Sequence, residues 1–399
     1  MAKNVAFAFK NSLLSTVYFT NVPKYGTFIV HPVRQLYTQT ALGLENYIHS
    51  RQKVKSQFTT MSEKFKAKMT EYTSNEQNTH MIFTEDLKNM IHLAESNEED
   101  VSLVIKMMKK FNQQNKELRF GNFVFGPVVM RMFYFLNEPD AALKCFKTPE
   151  LQGFFDQLMS YQLLLDLLYE NARYDDVIET FELIKSKQIQ GTKYPKNIVV
   201  LTMAACYKQN TPKSIDYALS LWTELNSVGH LPMRRASTFC AGLALNQGKY
   251  DAALEIVSTA KKQNYMTVRN IKVAALAQLG RLDDALQILK SVLEIDDPNN
   301  VKHTFSKEVI ELVSSAVEKQ NKAELKQEYE RLEKYLNEQG HITQITLDSQ
   351  LCSEITSVPI NSNNNRQPQG KTIPRYQYQG NTSKNYQVYN QRPGLRDMH

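Results

Sequence analysis

The chain has 399 residues, 42% of them hydrophobic, and a formal net charge of +7. That length accommodates two ordinary domains or one elongated repeat array. No run of 18 apolar residues occurs: the longest candidate, FVFGPVVMRMFYF at 123–135, is broken by Pro127 and Arg131 and is too short to span a bilayer. Cys145, Cys206, Cys240 and Cys352 lie far apart with no CxxC spacing, which argues against a zinc site or a disulfide framework and for reduced, buried thiols.

The charge sits at the two ends. Residues 1–44 carry +4 and no acid, and residues 358–399 carry +5, so the middle of the chain is near −2. The overall basicity is therefore no direct sign of a nucleic-acid surface; such a face would have to arise by segregation of charge within the core.

In chain order, residues 1–37 read as a mitochondrial transit peptide, being basic, hydroxyl-rich and acid-free, with Arg34 just ahead of Leu36, Tyr37 and Thr38 as a cleavage context. Residues 38–83 read as an N-terminal helical segment. From 84 to 300 one pattern recurs. Asp175 is followed by Val177, Ile178, Phe181 and Ile184, one face of a helix. The same spacing follows Asp140 (Ala142, Leu143, Phe146), Asp216 (Ala218, Leu219, Trp222, Leu225), Asp251 (Ala253, Leu254, Val257) and Asp283 (Ala285, Leu286, Leu289, Val292), with a fainter copy at Asp100. Successive aspartates from Asp140 are 35, 41, 35 and 32 residues apart. Periods of that size indicate a solenoid of helix-turn-helix units. Each unit has an upstream helix, as in 160–171, 236–247 and 268–279, and a turn marked by Gly or Asn.

The aspartates are expected in the first turn of each second helix, where a carboxylate meets the positive end of the helix dipole. They are too far apart for catalysis. Phe146, Phe181 and Trp222 fall on the inward stripe and are expected in the core. Residues 304–339 alternate Glu and Lys over two helices, and 301–357 read as capping helices that shield the last apolar face. Residues 358–399, rich in Asn, Gln, Tyr, Pro and Arg, read as a disordered basic tail.

Residues 158–192, LMSYQLLLDLLYENARYDDVIETFELIKSKQIQGT, resemble a pentatricopeptide unit through Tyr161, Leu164, Leu165, Leu168, Arg173, Asp175, Phe181, Ile184, Lys185 and Ile189. The Trp, Leu-Gly and Pro positions of a tetratricopeptide unit are missing. The blocks FVFGPVVMR (123–131), LQGFF (151–155), ACYKQNTPKS (205–214), RRASTFCAGLALNQ (234–247) and GHITQITLDS (340–349) resemble the mitochondrial pentatricopeptide repeat-containing protein 2 family. That resemblance implies an all-α fold, a right-handed α-solenoid, located in the mitochondrial matrix and serving mitochondrial RNA processing in support of respiratory-chain function.

Repeats of this class read one unpaired base each. By resemblance, the fifth residue of the first helix and the last residue of the repeat face the base edge, while the second packs on its face. In the clearest unit these are Gln162, Thr192 and Met159; a later unit offers Thr238, paired with the poorly suited Val268. Base-specific reading is thus degenerate, and weak or partner-assisted binding of RNA on the concave face is expected. Arg234, Arg235, Lys193, Lys196 and Lys208 are candidate phosphate contacts. The partners expected are mitochondrial RNA and RNA-processing or ribosomal proteins. The competing reading is a protein-binding scaffold or a component of the small mitochondrial ribosomal subunit. No Walker loop, GxGxxG, HExxH or GxSxG motif occurs, so no catalysis, cofactor or metal is expected.

Overall fold

The computed structural model describes residues 35–74, 80–118, 123–261, 263–294 and 303–356. All but the last three residues of the expected transit segment, and the whole tail 358–399, lie outside the described residues. A short α1 (Gln39–Leu42) and a hairpin of α2 (Leu44–Gln57) and α3 (Ser62–Ser74) precede the array. Helical pairs then follow: α4 (Thr84–Leu93) with α5 (Glu98–Leu118), α6 (Gly126–Leu136) with α7 (Pro139–Lys147), and α8 (Leu158–Glu170) with α9 (Tyr174–Lys187). Next come α10 (Lys196–Gln209) with α11 (Pro212–Ser227), α12 (Arg234–Asn246) with α13 (Tyr250–Ser258), and α14 (Met266–Gln278) with α15 (Leu282–Glu294). The last pair is α16 (Lys307–Gln320) with α17 (Ala323–Glu338), and a final short α18 spans Leu347–Leu351.

The first helices pack one on the next from α4 to α16, the stacking of a helical-repeat solenoid. The turns inside the pairs explain the Gly and Asn signal. Asn137, Asn210, Gly248, Gly280 and Asn321 all adopt positive φ, the left-handed conformation that ends one helix and redirects the chain into the next. Ala172 holds the same position at φ 57°, without the side chain or the glycine that makes that conformation inexpensive.

The acids behave as expected with one correction. Asp140, Asp175, Asp251 and Asp283 lie in the first turns of α7, α9, α13 and α15. Asp216 lies a turn deeper in α11, because Thr211 caps that helix and Pro212 begins it. Several of these acids also join neighbouring units. Arg173 pairs with Asp140 of the preceding unit and, at 2.7 Å, with Asp176 of its own. Gln209 donates to Asp175 at 2.7 Å, and Lys249 to Asp216 at 2.8 Å.

Two apolar clusters meet at α14. Val268, Ile271 and Ala275 complete the larger one, which runs from Leu36 through α13, while Val273, Ala274, Leu276 and Ala277 belong to the second with α15, α16 and α17. Phe146, Phe181 and Trp222 are core residues, and all four cysteines are free and buried. Second helices bury a single stripe, such as Leu282, Ala285, Leu286, Leu289 and Val292 on α15. The first helices are different. Every residue of α8 from Ser160 to Tyr169, of α10 from Ile198 to Tyr207 and of α12 from Ala236 to Ala244 is buried. A helix buried on all sides must be covered on the face that an open solenoid leaves to solvent.

Candidate nucleic-acid interface

The cover comes from both ends of the described chain. After α17, a two-residue parallel pairing of β1 (Phe305–Ser306) with β2 (Ile342–Thr343) turns the chain back toward α14. Residues 344–356 then run across the first helices. Asn270 of α14 donates to Gln350 at 3.3 Å, and Lys208 of α10 pairs with Asp348 at 2.9 Å. Leu351 packs over Gly242 of α12, so closely that a Cβ at Gly242 would come within 2.8 Å of Leu351 Cδ1. Arg235 holds this segment from below: Nη1 donates to the Leu351 carbonyl at 2.6 Å and Nη2 to Ser353 Oγ at 2.8 Å.

The segment meets residues 36–38. Tyr37 and Ile355 form a parallel bridge in which the Ile355 N–H donates to the Leu36 carbonyl at 2.8 Å and the Thr38 N–H to the Ile355 carbonyl at 3.3 Å. Leu36, Tyr37, Leu42, Leu347, Leu351 and Cys352 are all buried within the main cluster. Arg131 of α6 anchors the N-terminal segment by donating from Nε to the carbonyl of Leu42, the last residue of α1, at 2.8 Å, beside Gly43 at φ 69°. The two terminal segments thus form one latch across the first-helix face.

Of the expected base-reading residues, Gln162 and Thr238 are buried and Met159 and Thr192 are partly exposed. Gln162 is 6% exposed, and its Oε1 accepts from Asn197 Nδ2 at 2.9 Å. Thr238 is 1% exposed and donates to the Arg235 carbonyl at 3.0 Å; Val268, expected to end that repeat, is fully buried and lies inside α14, because the connection after α13 is short. Met159 and Thr192 are half-buried, Thr192 in the connection after α9. The structure does not gather these four into one open site. Arg234 and Arg235 begin α12, and they do different things. Arg235 is committed to the latch. Arg234 lies with Cζ 3.4 Å from the centroid of the Tyr265 ring. Burial lowers the pKa of both guanidinium groups.

Of the lysines, Lys193 and Lys185 both pair with Glu224, whose carboxyl is held down to about 2, first by the Tyr194 hydroxyl at 2.6 Å and then by these two lysines. Lys193 and Lys208 are therefore already engaged. Beneath α8, Tyr134 donates to Asp166 Oδ2 at 2.9 Å, while Asp166 Oδ1 and Glu170 Oε1 are buried without a hydrogen-bond partner. Desolvation raises both carboxyls, Glu170 to about 7. Among the described residues, no group of three His, Cys, Asp or Glu side chains is arranged to hold a metal ion, and no helix is long and apolar enough to cross a membrane.

Sequence reasoning missed the latch and Tyr265. The block GHITQITLDS contains the start of the latch, but nothing local says that it returns to α10 and α12. The pairing of residue 37 with 355 spans most of the chain and leaves no periodic trace.

Stacked helical pairs of this length define the class: a helical-repeat solenoid protein with its first-helix face closed. Among curated proteins, the chain is 31% identical to "Pentatricopeptide repeat-containing protein 2, mitochondrial" of Danio rerio over 273 residues, 68% of this chain and 70% of that one. It is 30% identical to the Homo sapiens protein of the same name, over 68% of this chain and 69% of that one, and 29% identical to the Xenopus laevis protein. The chain belongs to the family of mitochondrial pentatricopeptide repeat-containing protein 2. No protein-family model matches it.

Proposed function

We propose that this protein is a non-catalytic RNA-binding protein of the mitochondrial matrix that takes part in the maturation of mitochondrial mRNA and so supports the respiratory chain. The observation that carries the reading is the relationship itself. It extends over two thirds of the chain to proteins named for pentatricopeptide repeats and for the mitochondrion, and repeats of that class read unpaired bases. Because Gln162 and Thr238 are covered, binding is expected to depend on strand shape, charge and the exposed repeat edge more than on a base code at those positions. The test is ultraviolet crosslinking in intact mitochondria followed by sequencing of the bound RNA. Enrichment of a few mitochondrial transcripts supports the reading, and recovery no greater than from an uncrosslinked control refutes it.

A second reading, a protein-binding scaffold or small-subunit ribosomal component, draws on the same closed face. A solenoid whose first helices are sealed offers its edges and second helices to a protein as readily as to RNA. Co-sedimentation with the small ribosomal subunit in the absence of direct crosslinks favours it.

A further inference from the structure

We propose that the terminal latch closes on a proton: residues 36–38 and 344–356 seat against the first helices only while the Asp166–Glu170 pair of α8 is neutral, which makes the latch a pH-sensitive lid. The inference concerns the lid itself and holds whatever the protein binds.

Asp166 and Glu170 stand one turn apart on the same face of α8. Asp166 is fully buried, and Tyr134 of α6 donates to its Oδ2 at 2.9 Å. Asp166 Oδ1 and Glu170 Oε1 are buried with no hydrogen-bond partner. Both halves of the latch come close to this pair. Tyr37 donates from its hydroxyl to the Asn197 carbonyl at 3.4 Å, and Asn197 Nδ2 donates to Gln162 Oε1 at 2.9 Å. Gln162 precedes Asp166 by one turn on that same face. The Tyr37 hydroxyl also feels the charge of Asp166 directly. Tyr169, beside the pair on α8, feels Asp166 together with Asp348 and Cys352 of the latch.

The cations of the surrounding elements are engaged elsewhere. Arg131 of α6 donates to the Leu42 carbonyl, Lys147 of α7 pairs with Glu179, and Arg173, which precedes α9, pairs with Asp140 and Asp176. Lys208 of α10 pairs with Asp348, and Arg235 of α12 holds the latch carbonyls. Among the described residues, no cation pairs with Asp166 or Glu170. The titratable groups that face the pair are thus the phenols Tyr134, Tyr37 and Tyr169. Two carboxylates one turn apart, buried and without a counter-ion, are costly to ionise. Burial accordingly raises both carboxyls, Glu170 to about 7. When the latch leaves, water reaches the pair and returns it toward the ordinary carboxylate range. Protons therefore favour the closed state. Closure is strongest below that range, weakens as pH rises from there through 7, and levels off once the pair is ionised.

The test is native-state hydrogen exchange on the full chain, with each amide's protection taken relative to its unprotected rate at the same pH. Between about pH 5 and about pH 8, the amides of Cys352, Ile355 and Thr38 are expected to lose protection together by about tenfold or more. Those of α3, which packs on α5, should keep theirs. Glu170→Gln should cut the loss by about threefold or more, and the double variant Asp166→Asn, Glu170→Gln should abolish it. The wild-type comparison needs no variant to fold. Constant latch protection across the range removes the proton linkage and overturns the proposal. A loss of equal size in α3 means that the titration weakens the whole array, and overturns the lid. A loss left undiminished by Glu170→Gln places the proton elsewhere and overturns the assignment to this pair. No RNA is present in the experiment, so each of these outcomes leaves the RNA-binding reading standing.

Discussion

Replacing Arg235 by alanine should open the latch without unfolding the array. The side chain makes two short charge-assisted bonds to residues 351 and 353 and a longer one, 3.4 Å, to the Glu354 carbonyl. Hydrogen bonds from a charged group contribute about 1.5–3 kcal/mol each, and the longer contact adds little. Discounting for the partial exposure of Arg235, the loss is about 3 kcal/mol, a factor of roughly 100 in the opening equilibrium. Native-state hydrogen exchange reads this residue by residue. The amides of Cys352 and Ile355, bonded to the Asp348 and Leu36 carbonyls, should exchange on the order of 100-fold faster, while those in the middle of α8 stay unchanged. The Thr38 amide is the decisive probe. It donates to the Ile355 carbonyl and not to a group that Arg235 bonds, so a single latch requires it to accelerate in parallel. If residues 352 and 355 speed up while Thr38 keeps its rate, the two terminal segments are independent and the reasoning is wrong.

Other consequences are equally direct. Compared with a chain starting at Gln35, a chain truncated through Thr38 loses the buried Leu36 and Tyr37 and should melt roughly 5–10 °C lower, because two core side chains contribute about 1.5–3 kcal/mol each. Equal melting temperatures for the two truncations would rule out a structural role for these residues. Ala172→Gly relieves a left-handed backbone and should stabilise by about 0.5–1 kcal/mol in urea unfolding; a loss of stability would mean that its methyl group packs usefully. Glu170 has its pKa raised by burial to about 7 from an ordinary 4.5. Its penalty is therefore absent below the unfolded pKa and grows as pH rises through 7, so the chain loses stability over that window. Glu170→Gln should match wild type near pH 4.5 and melt roughly 2–6 °C higher at pH 8, and an equal offset at both pH values would exclude the titration.

The repeat array was legible because its causes are local. A helix needs an apolar stripe within a few turns, a carboxylate near its start and a residue tolerant of positive φ at its end. Asp175 with Val177, Phe181 and Ile184, and turns at Asn210, Gly248 and Gly280, carry all of that within about 35 residues. Even there, Asp216 fell a turn deeper than its pattern suggests, since Thr211 and Pro212 set the helix start instead. The family resemblance in the sequence agrees with the relatives found.

The fate of the first-helix face could not be read in this way. Gln162 and Thr238 stand at helix positions that would line an open groove, and nothing in their neighbourhood foretells a cover. The cover depends on Leu36 and Tyr37 meeting Ile355, on Leu351 settling over Gly242, and on Arg235 reaching across more than a hundred residues of sequence. Arg234 and Tyr265 likewise stack only because two successive units place their first-helix N-termini side by side. Periodic burial is written into each segment of the chain, because each helix must bury its own stripe. Which surfaces remain open is a property of the whole packing, because it is settled by contacts between segments that share no local pattern.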